Sequence, residues 1–507
     1  MVKENRKTSI FMSPMASIVS MFMFTSIFLI TLYPHLVIAD VNSFESRTIV
    51  IGVQDAPAIG APATEHAKSW EKKTGGKAVV KKYPFGELYQ EFKKGISTKP
   101  SQFDVILYAS SWVGDFHNFL SPLPIELTES ETFDDVHTTY RDRLMLWEGK
   151  WIAVTVDGDL FNGYYRKDLF ADTKNRNDFK QKYGYELSPP ETWSQYRDIA
   201  EFFTGFNSDK EKQILDKPIY GTSEPFAHGG QSYWDLFSRV SAYINHPDYP
   251  GSQFFDPDTM KAQVNNEAWI RALTEYIEIL KFCPPDAINY NIVDSRMAFI
   301  EGKTAMTLDW GDTAQISADP KISKIVDKVG YFVLPGTKEI WNNKTQKWEK
   351  QKNVFQAPFL AFGGWVASVP VNSANKDAAW DYIMWFSNPE NSLHDVVKSG
   401  TGINPYRYSH FFALDEWSKA FSPRAASEFL SVLKASLDSP YAALDLRILG
   451  YDEYIKVLES ELTAIINGKQ KIKQGMDKVA LEWEKITDRL GRENQKKIYR
   501  ASMGLSN

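Results

Sequence analysis

Two rhythms of apolar positions run along this chain, and their alternation predicts an α/β fold. Thr48 to Val53 and Ala78 to Tyr83 read as strands, and Phe103 to Tyr108 reads as a buried one. Between the first two lies a helical stretch around His66 to Lys73, ended by Gly75-Gly76. Strands alternating with helices in this way predict parallel sheets covered on both faces. Thr192 and Gln195, after Pro189-Pro190, have the spacing of a helix-opening capping box. Asp377 to Phe386 carries Ala379, Trp380, Ile383 and Met384 at helical spacing. The C-terminal part is helical. Tyr454, Leu458, Leu462 and Ile465 form one stripe, stopped by Gly468, and Ile472, Met476, Val479, Trp483 and Ile486 form another. Glu339 to Asn353 reads as a polar hairpin turning at Asn342-Asn343, with Lys344, Lys347, Lys350 and Lys352 on a solvated face.

The N-terminus has a different pattern. Lys3, Arg6 and Lys7 precede a mostly apolar stretch from Ile10 to Ile38, and Val37-Ile38-Ala39 then places small and modest side chains before Asp40. This is the layout of a secretory signal cleaved after Ala39. The stretch is also long enough to serve as an uncleaved anchor. Removing residues 1 to 39 leaves a chain long enough for two or more lobes and takes the formal charge from −6 to −8. An acidic surface argues against nucleic acid as a partner. Cys283 is the single cysteine, so no intrachain disulfide forms, and its place before Pro284-Pro285 after an apolar run reads as a small buried hydrophobe. No cysteine follows the apolar stretch to carry a lipid, which favours a free periplasmic protein.

Catalytic and nucleotide signatures are missing. The eight histidines show no zinc-binding spacing, and no Gly-x-Ser-x-Gly elbow is present. Gly302-Lys303-Thr304 is similar to a phosphate loop, but Met297 stands where that loop needs glycine. The many acidic residues leave a glycosidase carboxylate pair open.

Seven short segments occur in register with one family. They are Phe103-Asp104-Val105-Ile106-Leu107 with Trp112 and Leu120-Ser121-Pro122-Leu123; Gly149-Lys150-Trp151-Ile152-Ala153-Val154; and Tyr164-Tyr165-Arg166-Lys167-Asp168-Leu169-Phe170. Pro190-Glu191-Thr192-Trp193, then Phe299-Ile300-Glu301-Gly302-Lys303-Thr304-Ala305-Met306, then Gly363-Gly364-Trp365 follow, and the last is the stretch from Lys376 to Phe386 with Ser387-Asn388-Pro389-Glu390. Over residues 48 to 490 the chain resembles the extracellular solute-binding proteins of ABC importers, in the sugar-binding group that includes maltose-binding protein. The resemblance implies a two-lobed periplasmic binding protein fold with interlobe hinge crossovers and C-terminal helices. Lobe one would hold residues 40–155 and 366–405. Lobe two would hold 156–365 and the helices of 406–507. Crossovers would fall near Val154 to Asp157, Phe362 to Val366 and Ile403 to Tyr406. Asp172 to Tyr185 and the 339–353 hairpin look like extra material in lobe two.

The implied function is capture of a sugar or oligosaccharide and its delivery to a membrane permease, by a monomer without cofactor or metal. A non-sugar solute (polyol, amine or metal complex) and a secreted glycan-cleaving enzyme are the alternatives. A sugar ring offers an apolar face to an aromatic and a rim of hydroxyls to carboxylates. By the family's layout, the candidate ligand residues are Trp112 and Asp115 after the third strand, and Asp157 and Asp159 at the first crossover. Tyr233 follows Gly229-Gly230; Asp309, Trp310 and Asp312 follow Ala305-Met306; Trp365 lies in the second crossover; Arg447 and Tyr451 precede the C-terminal helices. Trp151, Trp193, Trp234, Trp380 and Trp483 read as core.

Overall fold

The computed structural model describes residues 43–205 and 219–505. The expected N-terminal signal, its expected cleavage site and Asp40 lie outside the described residues. Two sheets organise the rest. The first has the strand order Lys77–Tyr83, Thr48–Gln54, Val105–Ala109, Trp365–Ser368, Val154–Thr155. The second runs Val329–Phe332, Asn162–Arg166, Thr304–Asp309, Tyr220–Ser223.

Neither sheet is all-parallel, which corrects the expectation from the alternating pattern. Thr48–Gln54 is parallel to both of its neighbours, but Trp365–Ser368 runs antiparallel to Val105–Ala109 and to Val154–Thr155. In the second sheet Asn162–Arg166 is antiparallel to both neighbours, and only Tyr220–Ser223 pairs in parallel with Thr304–Asp309. The reason is connectivity. The chain leaves one sheet for the other and returns, so a returning strand enters from the opposite end.

Local chemistry sets the elements. Gly60–Thr74 is a helix that buries Ala63, Ala67 and Trp70 at helical spacing and ends at Gly75, whose φ of 76° is the left-handed stop glycine tolerates. The Trp70 indole donates to Asp381 at 2.7 Å, tying this helix to Lys376–Ser387. The Thr192 capping box forms: Gln195 N donates to Thr192 Oγ1 at 3.2 Å and Thr192 N to Gln195 Oε1 at 3.0 Å. Two long C-terminal helices, Tyr451–Ile466 and Ile472–Leu490, pack together through Tyr454 and Trp483, whose indole donates to the Tyr454 carbonyl at 3.0 Å. The polar hairpin pairs Thr337–Asn342 with Lys347–Phe355, and Trp341 faces Trp348 across the strands. Arg271 lies over Trp348 and Tyr243, which pins the hairpin to the helix Glu267–Ile279. Cys283 is buried.

The segments that join the sheets lie side by side. Val156 N and Asp157 N both donate to the Trp365 carbonyl, and Gly158 N donates to the Asn404 carbonyl. Phe362, Gly363 and Gly364 have φ of 65°, 72° and 80°, a run of three left-handed residues. At Gly364 a Cβ would lie 2.0 Å from the Asp157 carbonyl oxygen, so only glycine fits this crossing. Among the described residues no helix is long and apolar enough to cross a membrane.

Candidate functional site

Between the two sheets is a cavity of about 160 Å³. Gln54, at the end of its strand, Ala58, Phe85 and Trp365 line it from the first sheet. Trp234, Arg296, Trp310 and Asp312 line it from the second, and Asp159, Phe362 and Gly402 come from the crossovers. Gln54 and Trp310 stand at the carboxyl ends of their strands, where loops leave the backbone free to face a ligand.

The apolar wall is rigid. Trp310 meets Phe161 and Trp234 edge to face, with centroids 4.8 and 5.4 Å away, and its indole donates to the Ala361 carbonyl at 3.0 Å. The Trp234 indole donates to Asp445 at 2.7 Å. Trp365 packs on Phe362 at 5.2 Å, and Phe85 packs on both. The Trp310 and Trp234 indoles therefore have their N–H groups satisfied, and all three rings are held by aromatic neighbours, which prepares them for contact at small entropic cost.

The polar wall is a chain of carboxyl groups around one arginine and one asparagine. Arg296 grips Asp309 in a fork, Nε to Oδ2 at 2.5 Å and Nη2 to Oδ1 at 3.0 Å, and its Nη1 lies 3.5 Å from Asp312. Asp309 also accepts from Trp310 N and Thr313 Oγ1. Asn404 Nδ2 reaches Asp159 at 2.9 Å, Asp312 at 3.3 Å and Asp157 at 3.4 Å, while Asn404 N donates to Asp157 at 2.7 Å. Gly311 permits this, since a Cβ there would lie 2.1 Å from Asn404 Oδ1.

Burial dominates the titration of these groups. It pushes Asp157 up to about 7 and Asp159 well above the carboxylate range, the latter helped by the charges of Asp157 and Asp312. Asp309 is also raised by burial, with Arg296 opposing. Burial works against the charge of Arg296, but Asp309 and Asp312 more than offset it and hold the guanidinium ionised. No group of three or more His, Cys, Asp or Glu suited to a metal ion occurs among the described residues.

A larger groove of about 490 Å³ lies under the hairpin, between Glu191–Gln195 and Arg271. Arg271 there is paired with Glu275 and Glu339. The interlobe cavity instead joins aromatic walls to carboxyl groups that outnumber their cations, and it is the stronger candidate.

The family model of the bacterial extracellular solute-binding proteins matches residues 54–392, more than half of the chain. The chain belongs to that family. No curated protein sequence matches it. Among solved structures, this solute-binding protein is similar to an ABC transporter solute-binding protein from Agrobacterium radiobacter K84 in complex with ribitol. The two are 21% identical, covering 88% of this chain and 100% of that one, with a TM-score of 0.68. It is also similar to maltose-bound T. maritima MalE3, at 18% identity over 87% of this chain and 100% of that one, TM-score 0.66. A third is the solute-binding protein of Agrobacterium vitis S4 with D-mannitol, 20% identical over 88% of this chain and 99% of that one, TM-score 0.63. These identities make the likeness one of fold, the two-lobed binding-protein architecture.

The solute-binding protein brings six of the sequence candidates to one place: Asp157, Asp159, Asp309, Trp310, Asp312 and Trp365. Asp159, Trp310, Asp312 and Trp365 line the cavity, and Asp157 and Asp309 stand directly behind. The other five gather at a neighbouring contact between the lobes. Trp112 packs behind Phe85 against Tyr89. Asp115 accepts from Lys93 at 3.2 Å and from Gly450 N at 3.0 Å. Arg447 is buried and donates to the carbonyls of Ser110, Arg143 and Leu144, binding the C-terminal segment to these two loops. Tyr233 packs on Trp234, with Tyr451 and Asp445 beside it. Residues that sequence reasoning passed over include Arg296, Phe85, Phe362 and Asn404, and Trp234, read as core, also lines the cavity. Arg296 had a faint signal, a basic residue directly before the apolar run from Met297 to Ile300.

Proposed function

We propose that this protein is the receptor component of an ABC importer, that it captures a small polyhydroxylated solute between its lobes, and that it hands the solute to a membrane permease. The observation that carries the reading is one cavity in which Trp310 and Trp365 stand beside Asp159, Asp312 and Arg296. Indoles stack on the C–H face of a sugar or polyol, and the charged groups bond its hydroxyls. The ligands of the similar structures, ribitol, D-mannitol and maltose, support that class. The cavity, about 160 Å³, is below the range of drug-sized pockets and favours one sugar ring or a short polyol over an oligosaccharide. Asp159 and Asp312 converge on one amide nitrogen, side by side rather than across a scissile bond, which favours binding over glycan cleavage.

A thermal-shift screen of polyols and sugars tests this. Ligand at 100 times its Kd stabilises the native state by about 2.7 kcal/mol, and the melting temperature should rise by several degrees. If no polyol or sugar shifts it, the reading fails. The same reading expects export with cleavage after Ala39. Sequencing the N-terminus of the exported protein should find Asp40, and Met1 retained in the membrane fraction would overturn that expectation.

A further inference from the structure

The charges at the cavity do not balance. Asp157, Asp159, Asp309 and Asp312 converge there, and Arg296 is the one cation among the described residues that line it. The fork to Asp309 takes two of the Arg296 donors, and the third guanidinium nitrogen is 3.5 Å from Asp312. Beyond that ion pair, Asp157, Asp159 and Asp312 share the neutral donors of Asn404. Asp157 Oδ2 and Asn404 Oδ1 are buried and find no hydrogen-bond partner. The other groups facing the carboxyls add no positive charge. Tyr140 donates its hydroxyl to the Gly158 carbonyl and Tyr164 to the Trp310 carbonyl, and Asp235, whose field reaches Asp309, is buried with both oxygens unpartnered, its cationic neighbour Arg239 being paired with Glu224.

We propose that the site selects a cationic solute: an amino sugar or amino polyol whose protonated nitrogen lies against Asp159 and Asp312. This rests on the receptor reading above and narrows its ligand class.

The physical argument is one of compensation. An excess of carboxylates in a site that closes away from water must be met by protons or by a cation. Where no cation is present only protons can meet it, and burial favours the protonated forms of Asp157 and Asp159. A neutral polyol brings only hydroxyl donors and leaves the excess as it was. An ammonium group forms charge-assisted bonds to the two carboxyl groups that line the cavity, Asp159 and Asp312, and takes the place of a proton there. The indoles of Trp234, Trp310 and Trp365 are the side chains with the strongest attraction for a cation over their faces. Arg296 does not oppose this, since its charge is already matched by Asp309.

Calorimetric titration of the mature protein with matched twins tests the proposal: D-glucosamine against D-glucose, D-galactosamine against D-galactose, and glucamine against sorbitol. The amine of the best-bound pair should bind at least about tenfold tighter than its neutral twin. Asp159→Asn and Asp312→Asn should each bring that ratio toward one. For glucamine, affinity should rise as pH goes from about 5.5 to 7.5, with proton release visible as a buffer-dependent enthalpy, while sorbitol shows neither. That comparison uses the unaltered protein and stands even if a variant fails to fold. Neutral twins that bind as tightly as the amines would overturn charge selection and leave the receptor reading intact. Binding by no member of either series would overturn both.

Discussion

Trp310 is a wall of the cavity and a brick of the structure behind it. It is 7% exposed, packed on Phe161 and Trp234, and hydrogen-bonded to Ala361. Trp310→Ala should therefore weaken ligand binding by about 2 kcal/mol or more, as loss of an aromatic anchor does. It should also cost about 3–5 kcal/mol of apo stability, because a void opens beside Trp234. Titration of the folded fraction and a melting curve separate the two, and unchanged affinity would remove Trp310 from the recognition surface. Asp157 gives a pH signature. Its folded pKa is raised, so the stability it contributes is complete below the ordinary carboxylate range and is lost as pH rises toward about 7. Asp157→Asn keeps the acceptor for Asn404 N and should flatten that loss. Denaturation midpoints between about pH 4 and 7 check it, and parallel curves for the two proteins would refute it. Sequence made the Asp309-Trp310-Gly311-Asp312 cluster visible because the chain itself places those residues together. Arg296 and Asn404 were harder to see, because their importance arises from contacts 13 and 245 positions away. Trp234 read as core and is both buried and cavity-lining, a double role that helical spacing cannot show.

Helices and strands were legible where the pattern was strong. The helices Lys376–Ser387 and Tyr451–Ile466 carry clean apolar stripes, and the hairpin reveals itself by its polar turn. Strand direction was not legible, because Trp365–Ser368 owes its antiparallel entry to a crossover that local pattern does not encode. The left-handed run Phe362-Gly363-Gly364 is the most constrained of these crossovers. Gly364→Ala should destabilise the protein by at least about 1–3 kcal/mol, from the positive φ alone, with the clash against the Asp157 carbonyl added. Thermal unfolding measures this, and an unchanged midpoint would show that the crossover can move aside. Because Phe362 lines the cavity, the same variant should also lose ligand affinity.

At the scale of the whole molecule, the three crossover segments are hydrogen-bonded to one another while the sheets they join remain separate. Such an arrangement bends at the crossovers and leaves each lobe intact. Ligand should draw the lobes together, so the radius of gyration should fall at saturation. Solution scattering with and without a verified ligand decides it, and an identical radius in both would count against closure.

Cys283 has a practical consequence for observing that motion. The chain has no second cysteine, and this one is buried, with its thiol held protonated chiefly by that burial. A maleimide dye would pass it by. A cysteine engineered onto the rim of either lobe would then be the one reactive thiol in the folded protein. Lobe movement becomes a fluorescence signal, and the natural residue can stay where it is.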